Sequence, residues 1–387
     1  MPVLRKPRFD RQELAGAFGD IGTDLPLIAG IILATKLDPS GVFIAFGLAQ
    51  IASGLLYGLP MPVQPLKAMA VVVIAGQATG GQLQLAGLMI GALMLVLAYS
   101  GLLDRLQKLI PVLVVRGVQA GLGLALARTS WRLMGGEGSW GWVAAALAVG
   151  LLVWLRNHRH VPGALLVVGA GVIWAGCTRI DWPVLRGGFG WVTPTPGDLP
   201  WDQWLVVLSL LVLPQVPLSL SNSVIATQRT VTDLFPERTV TLRGIGRTYG
   251  VINLLSPWLG GLPMCHGCGG LAGYYALGAR TGGSVIIYGT LYLVIGSLFS
   301  GAFQEVLRAF PAPVLGAVLL VEAGVLIYLL RDVARTPAAL ALAVVVALVC
   351  VLAPQGYLLG MVAGCVLYYS LRRWLPDLNR PPMTTDR

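Results

Sequence analysis

The chain has 387 residues, of which 56% are apolar, 11% are charged and 50 are glycine. Ordinary soluble domains carry about 25% charged residues, so this composition and the apolar runs that recur from Leu14 to Tyr369 exclude a soluble enzyme and a disordered or fibrous chain. The net charge of +10 does not indicate nucleic-acid binding, because the 27 basic residues lie in short groups between apolar runs rather than on one face.

Taken in chain order, the apolar runs predict an all-α integral membrane protein with fourteen spans. The first seven lie near 14–35, 41–59, 64–76, 83–103, 111–127, 139–155 and 161–177. The second seven lie near 203–226, 246–262, 266–279, 282–300, 312–330, 337–353 and 356–371. The predicted organisation is a first seven-span repeat at 1–178, a linker at 179–202, a second repeat at 203–373 and a cytoplasmic tail at 374–387.

The third and tenth spans are too short for a full crossing and begin at proline and glycine clusters, so we interpret them as half-helices. The tetrapeptide GLPM precedes both, at 58–61 and at 261–264. An odd number of spans in each half gives the halves opposite orientations. The sequence therefore predicts a 7+7 inverted repeat in which the two half-helices face each other at the middle of the membrane.

Basic residues predict the orientation of the chain. With fourteen spans and the amino terminus inside, nineteen of the 27 lysines and arginines fall on the cytoplasmic side, as the positive-inside rule requires. Both termini are expected in the cytoplasm, and a cell (plasma or inner) membrane is the expected location.

The half-helices contain the first candidate binding residues. In the third span, Gln64 supplies an amide and Lys67 a full positive charge beside free helix amides; snorkelling of Lys67 is the structural alternative. In the tenth span, the candidates are Cys265, His266 and Gly267, for which tight helix packing is the alternative. A structural zinc site needs four ligands, and no second Cys/His pair completes one, so no metal or cofactor is predicted.

Spans one and eight contribute polar residues at breaks in apolar helices. Thr23 in span one and Gln215 and Asn222 in span eight are candidate substrate ligands, with interhelical hydrogen bonding as the alternative for the serines nearby. Ionisable residues inside a membrane need a partner or a function, so three acids are candidates for coupling: Asp20, Asp24 and Glu322. The preferred ion pair is Asp20 with Lys67; Glu322 either pairs with Arg116 or belongs to a proton relay.

The predicted site suits a small dianion. Two facing helix ends supply about half a positive charge each, and Lys67 adds one, so the total balances two negative charges. A tetrahedral oxyanion also suits donors that arrive from several directions. A nucleobase is less well matched, because the predicted site segments contain few aromatic residues on which a base could stack.

Four strings resemble the signature segments of the molybdate transporter family, a branch of the sulfate permease superfamily. They are GAFGDIGT at 16–23, MPVQPLK at 61–67, SNSVIAT at 221–227 and MCHGCGGLAG at 264–273. The resemblance covers nearly the whole chain. It implies the fourteen-span inverted-repeat fold with a core and a gate domain, and transport of molybdate by alternating access.

The sequence is thus interpreted as a secondary transporter, not an enzyme, that carries molybdate and is coupled to protons. Sulfate, tungstate, another anion or a nucleobase remain alternative cargoes, and a membrane-embedded thiol enzyme that uses Cys265, His266 and Cys268 is the alternative from another class. The expected partners are the oxyanion and the lipid bilayer, with no nucleic acid and with a possible homodimer.

Overall fold

A computed structural model describes residues 6–103, 105, 109–155, 163–334, 336–354, 356–375 and 378, with only the backbone described at 22, 23, 164 and 165. The predicted tail at 374–387 lies outside the described residues except for 374, 375 and 378. The chain is mostly helical, as predicted, and its only strands in the described part are two pairs of residues.

Nine helices and the first strand make up the part of the chain before residue 190 that the structure describes. They are α1 (Arg11–Gly16), α2 (Ile21–Thr35), α3 (Pro39–Tyr57), β1 (Gln64–Pro65), α4 (Lys67–Ile74), α5 (Gly80–Ser100), α6 (Val112–Gly135), α7 (Gly138–Leu155), α8 (Gly163–Thr178) and α9 (Trp182–Gly187).

The described remainder begins with a long helix, α10 (Trp201–Leu234), which contains π-helical turns at Leu208–Val212 and Ser219–Ala226. It is followed by α11 (Leu242–Leu255), β2 (Met264–Cys265), α12 (Cys268–Ala276), α13 (Gly283–Leu298), α14 (Ser300–Ala309), α15 (Ala312–Tyr328), α16 (Pro337–Leu352) and α17 (Gly356–Leu371).

Local signals explain where the helices begin and end. Asp38 caps α3, whose first residue is Pro39, and a proline there loses no helical hydrogen bond. Thr79 and Gln82 form a reciprocal capping box at the start of α5. Gly58 ends α3 with a φ of 59°, a left-handed conformation that glycine adopts without strain.

The helices pack in two sets. In one set, α13 packs on α3 and α11 packs on α5. In the other, α6 packs on α15 and α16, α7 packs on α8 and α15, and α16 packs on α17. Glycines permit the close approaches: a Cβ on Gly47 would lie 2.7 Å from the Gly289 carbonyl oxygen, and one on Gly117 would lie 2.6 Å from that of Ala343. Small residues at helix contacts are typical of membrane proteins.

Six helices in the described part are long and apolar enough to cross a membrane, and the pair α13–α14, bent by 94°, would make a seventh. The remaining apolar helices are shorter, so the predicted fourteen crossings stay a prediction. The structure differs from the predicted boundaries at two places. The predicted linker at 179–202 contains α9, and the predicted span at 203–226 belongs to a longer helix, α10.

Candidate functional site

The two strands bring the amino-terminal ends of α4 and α12 together. β1 pairs with β2 in antiparallel fashion, with Gln64 opposite Cys265 and Pro65 opposite Met264. The amide of Leu66 also donates to the carbonyl of Pro263 at 3.1 Å. Each strand runs directly into a short helix, so two helix ends that are about 200 residues apart in the chain lie side by side inside the protein.

Side chains on α3 hold the first strand segment in place. The Gln50 side chain donates to the Val63 carbonyl at 2.9 Å and accepts from the Val63 amide at 3.3 Å. Ser53 donates to the Met61 carbonyl at 2.8 Å. These bonds satisfy backbone groups that extended chain would otherwise leave unpaired in an apolar interior.

Side chains at or just after the end of α11 hold the second segment in the same way. Asn253 donates to the Met264 carbonyl at 2.6 Å and accepts from the Met264 amide at 2.8 Å, and Ser256 donates to the Leu262 carbonyl at 2.7 Å. Gln50 and Ser53 precede the first GLPM string by the same spacing that separates Asn253 and Ser256 from the second. Sequence analysis missed these four residues, although that shared spacing could have identified them.

Asp20 and Gln64 form the polar centre of the site. The Gln64 amide nitrogen donates to both carboxylate oxygens of Asp20, at 2.6 and 2.7 Å, and both side chains are buried. Glycines of α12 and its cap make room for this pair. A Cβ on Gly267 would lie 2.5 Å from Cδ of Gln64, and one on Gly270 would lie 2.7 Å from Cγ of Asp20.

Lys67 pairs with Glu322 and not with Asp20. Its Nζ lies 3.5 Å from Oε2 of Glu322 on α15, and its side chain keeps 36% of its surface accessible. The predicted pair of Glu322 with Arg116 is also wrong, because Arg116 pairs with Asp332 at 2.6 Å. The order of the spans predicts roughly how deep a residue lies in the membrane, but not the direction in which its side chain points from the helix. The sequence therefore identified the charged residues but not their partners.

Gln215 lies at the amino-terminal end of α4. Its Oε1 accepts from the amides of Ala68 at 3.1 Å and Met69 at 3.4 Å, while its Nε2 donates to Ser219, which contacts the Tyr249 hydroxyl at 2.7 Å. Two of the helix amides that sequence analysis assigned to the anion are therefore already satisfied by the protein.

His266 is buried and both its ring nitrogens are engaged. Nδ1 donates to the Pro62 carbonyl at 2.9 Å, and Nε2 lies 2.8 Å from the Thr248 hydroxyl, which places the proton on Nδ1 in the neutral ring. His266 thereby ties the β1 segment to α11. The Cys265 thiol is buried and hydrogen-bonded with Ser223 of α10.

The amino-terminal end of α12 is the accessible side of the site. Gly267 provides its cap without any side-chain hydrogen bond, and the Cys268 thiol lies within reach of the amides of Cys268 and Gly269. Gly269 is exposed, and a Cβ built on it meets no atom within 4 Å. Asn222 on α10 is half-buried. An uncapped helix end beside a lysine favours an anion.

Asp24 lies one turn after Asp20 on α2 and is completely buried. Neither of its carboxylate oxygens has a hydrogen-bond partner among the described residues. Lys67 and Glu322 lie within electrostatic range of it, and so do three buried tyrosines of α12 and α13: Tyr274, Tyr288 and Tyr292. The side chain of Thr23, another predicted ligand, lies outside the described residues.

The charge of the site differs from the prediction. The predicted charge balance counted the full positive charge of Lys67 towards the anion, but Glu322 offsets it. The remaining positive potential comes from helix ends, and Asp20 and Asp24 place two buried carboxyl groups in the same region. A dianion that binds here must therefore compete with Glu322 for Lys67. It also lies near the carboxyl groups of Asp20 and Asp24.

Comparison with known proteins adds sequence relatives. A family model described as "Molybdate transporter of MFS superfamily" matches residues 12–126 and 208–327. Molybdate transporter 2 of Arabidopsis thaliana is 34% identical over 361 residues, covering 81% of this chain and 77% of the relative. Molybdate transporter 1 of the same plant is 32% identical over 414 residues, covering 95% and 89%.

Solved structures show the same fold at low sequence identity. The transmembrane domain of the cyanobacterial bicarbonate transporter BicA matches with a TM-score of 0.65 at 18% identity, over 88% of this chain and 97% of that one. The murine anion transporter Slc26a9 in the inward-facing state matches with a TM-score of 0.71 at 13% identity, over 97% and 70%.

Proposed function

Because this chain belongs to the molybdate transporter family, we propose that it is a secondary transporter that moves molybdate across the membrane by alternating access. Its relatives are named transporters and not enzymes. The observation that carries the proposal is the meeting of α4 and α12 at the β1–β2 pair, beside a lysine that remains accessible.

The proposed anion position lies between Lys67 and the uncapped end of α12. Lys67 supplies a full positive charge, and the exposed amides near Gly269 supply hydrogen-bond donors from another direction. We place Asn222 at the same anion position, because it is half-buried on the π-helical turn of α10 that contacts α12 and can donate an amide hydrogen. Gln64 and Gln215 are occupied by Asp20 and α4, and His266 by Pro62 and Thr248, so we assign them to positioning the site.

An inverted repeat of seven plus seven spans accounts for the packing. If α2–α8 correspond to α10–α17, with the bent pair α13–α14 as one span and β1 and β2 equivalent, the contact of α3 with α13 mirrors that of α11 with α5. The contact of α6 with α16 likewise mirrors that of α15 with α7. Gln50 and Asn253 precede the GLPM strings by the same number of residues, which supports duplication, although the carbonyls that they hold, of Val63 and Met264, differ by two positions relative to the strings.

Alternating access requires one set of helices to move against the other. We propose that the set containing α3, α5, α11 and α13 holds the anion as a core, and that the set containing α6–α8 and α15–α17 is the gate. We assign α4 to the core, because α3 holds the strand that leads into it, so the pair of Lys67 on α4 with Glu322 on α15 joins core and gate. An arriving dianion would compete with Glu322 for Lys67 and so weaken the link between core and gate.

Import of a dianion into a negative interior needs an energy source. Each elementary charge costs about 2.3 kcal/mol per 100 mV, so an uncompensated dianion costs about twice that. We propose that protons are co-transported, with Asp20, Asp24 and Glu322 as the candidate carriers. Sulfate or tungstate is the second candidate cargo, since either shares the tetrahedral dianionic shape.

The test is uptake of labelled molybdate by purified protein in proteoliposomes. Lys67→Met is expected to lower the uptake rate at subsaturating molybdate by at least tenfold, because one 1.4 kcal/mol interaction already gives that factor. Lys36→Met is the matched control: Lys36 is exposed at the end of α2 and its replacement should leave uptake unchanged.

A second variant separates folding from binding. Lys67→Met alone strands the Glu322 carboxylate, whereas Lys67→Met combined with Glu322→Gln removes both charges. Recovery of thermal stability in the double variant without recovery of uptake is the expected result. Wild-type uptake by Lys67→Met, or competition by a nucleobase but not by sulfate or tungstate, would refute the proposed anion site.

A further inference from the structure

The three candidate proton carriers differ in their hydrogen-bond and ion-pair partners. Glu322 is paired with Lys67 and is 14% exposed. Asp20 accepts two hydrogen bonds from Gln64. Asp24 is fully buried and has no hydrogen-bond partner within the described part of the chain. Only Asp24 therefore lacks a local group that compensates a negative charge.

Resting on the proposed function, we propose that Asp24 carries the coupled proton: it is neutral in this conformation, and it ionises when the transport cycle exposes it to water. An ionised carboxylate that is fully buried and accepts no hydrogen bond is far less stable than the neutral acid. The nearby cation cannot rescue it, because Lys67 is engaged by Glu322.

Among the described residues, the groups that surround Asp24 on each packed side provide no free positive charge to compensate its ionised form. The charged groups acting on it are Asp20 on its own helix, Lys67 on α4 and Glu322 on α15. The tyrosine hydroxyls of α12 and α13 are the nearby neutral titratable groups, and those of Tyr288 and Tyr292 contact each other at 2.6 Å. Towards α8 and α14, α2 presents an apolar surface that meets Val168, Val172 and Phe303.

A metal ion is a weaker occupant for this position than a proton. No group of three or more His, Cys, Asp or Glu side chains suited to a metal occurs in the described residues.

The position of Asp24 links proton and anion. It lies one helical turn from Asp20, whose partner Gln64 pairs with the strand that leads into α12. Loss of the proton from Asp24 would place a second negative charge beside Asp20, close to an incoming dianion. Proton binding and anion binding must therefore favour each other reciprocally, so a single protonated Asp24 accompanies each bound anion.

The first measurement is molybdate binding to the detergent-purified wild-type protein by calorimetry, at several pH values and in buffers of different ionisation enthalpy. Below the pH at which Asp24 titrates in the free protein we expect no proton uptake, because Asp24 is already neutral; above it we expect uptake that approaches one proton per molybdate and a Kd that weakens tenfold for each pH unit. Proton uptake of zero at every pH would overturn the proposal.

The second measurement compares two acid-to-amide variants in proteoliposomes. Asp24→Asn is expected to exchange labelled for unlabelled molybdate across the membrane, but to lose accumulation driven by an inward proton gradient. Glu322→Gln, which frees Lys67, is expected to bind molybdate more tightly and to keep its response to the gradient.

Outcomes for this assignment and for the proposed function are distinct. If Asp24→Asn still accumulates molybdate in response to the proton gradient, or if the wild type responds to sodium and not to protons, the assignment of Asp24 is wrong while molybdate transport stands. If the wild type binds sulfate but not molybdate, the cargo is wrong. Calorimetry on the wild type keeps the test decisive should Asp24→Asn fail to fold.

Discussion

Two neighbouring glycines of α12 allow a matched test of the Asp20–Gln64 pair. A methyl group on Gly270 would lie 2.7 Å from Cγ of Asp20 and 2.8 Å from Nε2 of Gln64, whereas one on Gly269 meets no atom within 4 Å. Ordinary contact begins at 3.4 Å, so Asp20 would have to retreat by about 0.7 Å in Gly270→Ala, since buried side chains tolerate little overlap.

The expected loss of stability is obtained by comparing Gly270→Ala with Gly269→Ala. Both replace glycine by alanine in the same helix, so the gain in helix propensity of up to about 1 kcal/mol is shared. Gly270→Ala additionally disturbs at least one buried hydrogen bond, which costs about 1–3 kcal/mol when a partner is left unsatisfied. We expect Gly270→Ala to be less stable than Gly269→Ala by that amount.

The assay is the unfolding temperature of each purified variant in the same detergent. A difference on the order of 2 °C per kcal/mol is expected for a chain of this size, with Gly269→Ala at or above the wild type. Equal unfolding temperatures for the two variants would refute the inference that Gly270 is required by contact with Asp20, and would leave helix propensity as the sole effect.

The remaining predictions concern two carboxylates away from the anion position. Glu13 is buried and accepts from the amides of Arg280, Thr281 and Ser284, so Glu13→Gln should lower stability by about 1–3 kcal/mol, while Asp10→Asn, whose side chain is 45% exposed, should change it little. Hydrogen bonds from the Arg179 guanidinium lower the pKa of Glu137, so this pair stabilises the fold above the usual carboxyl pKa of 4.5, and its contribution is lost as pH falls through the lowered value.

Unfolding temperatures measured between acidic and neutral pH test the prediction for Glu13 and the prediction for the Glu137–Arg179 pair. For Glu137 the expected contribution is below about 1 kcal/mol, because the pair is partly exposed, and Arg179→Gln should remove it. A variant whose stability falls as steeply as the wild type below pH 4.5 would show that the pair contributes nothing. If Asp10→Asn is as destabilised as Glu13→Gln, the role of the three amides is wrong.

The positions of the short helices could be predicted from sequence because chain breakers mark them. Clusters of prolines and glycines before Lys67 and Cys268 interrupt the helices there, and the repeated GLPM string indicated that the two breaks are equivalent. The family could likewise be predicted, and the matches to the family model and to the plant relatives confirm it.

The pairing of side chains could not be predicted in the same way. Whether Lys67 meets Asp20 or Glu322 depends on the rotation of each helix about its axis, and helices that are apolar on all sides give no periodic signal for that rotation. The occupation of the α4 amides by Gln215 was missed for a similar reason, since that contact joins helices about 150 residues apart.

The pairing of β1 with β2 also bears on how the chain is made. During synthesis the first strand is complete long before the second exists, and at about 5–20 residues per second its partner emerges from the ribosome roughly 10–40 s later. Until then Gln64 lacks the strand opposite it, and extended backbone without a partner is costly in lipid. Biogenesis of the site is thus a late event, and the nascent first half depends on bonds from Gln50 and Ser53 to bridge the interval.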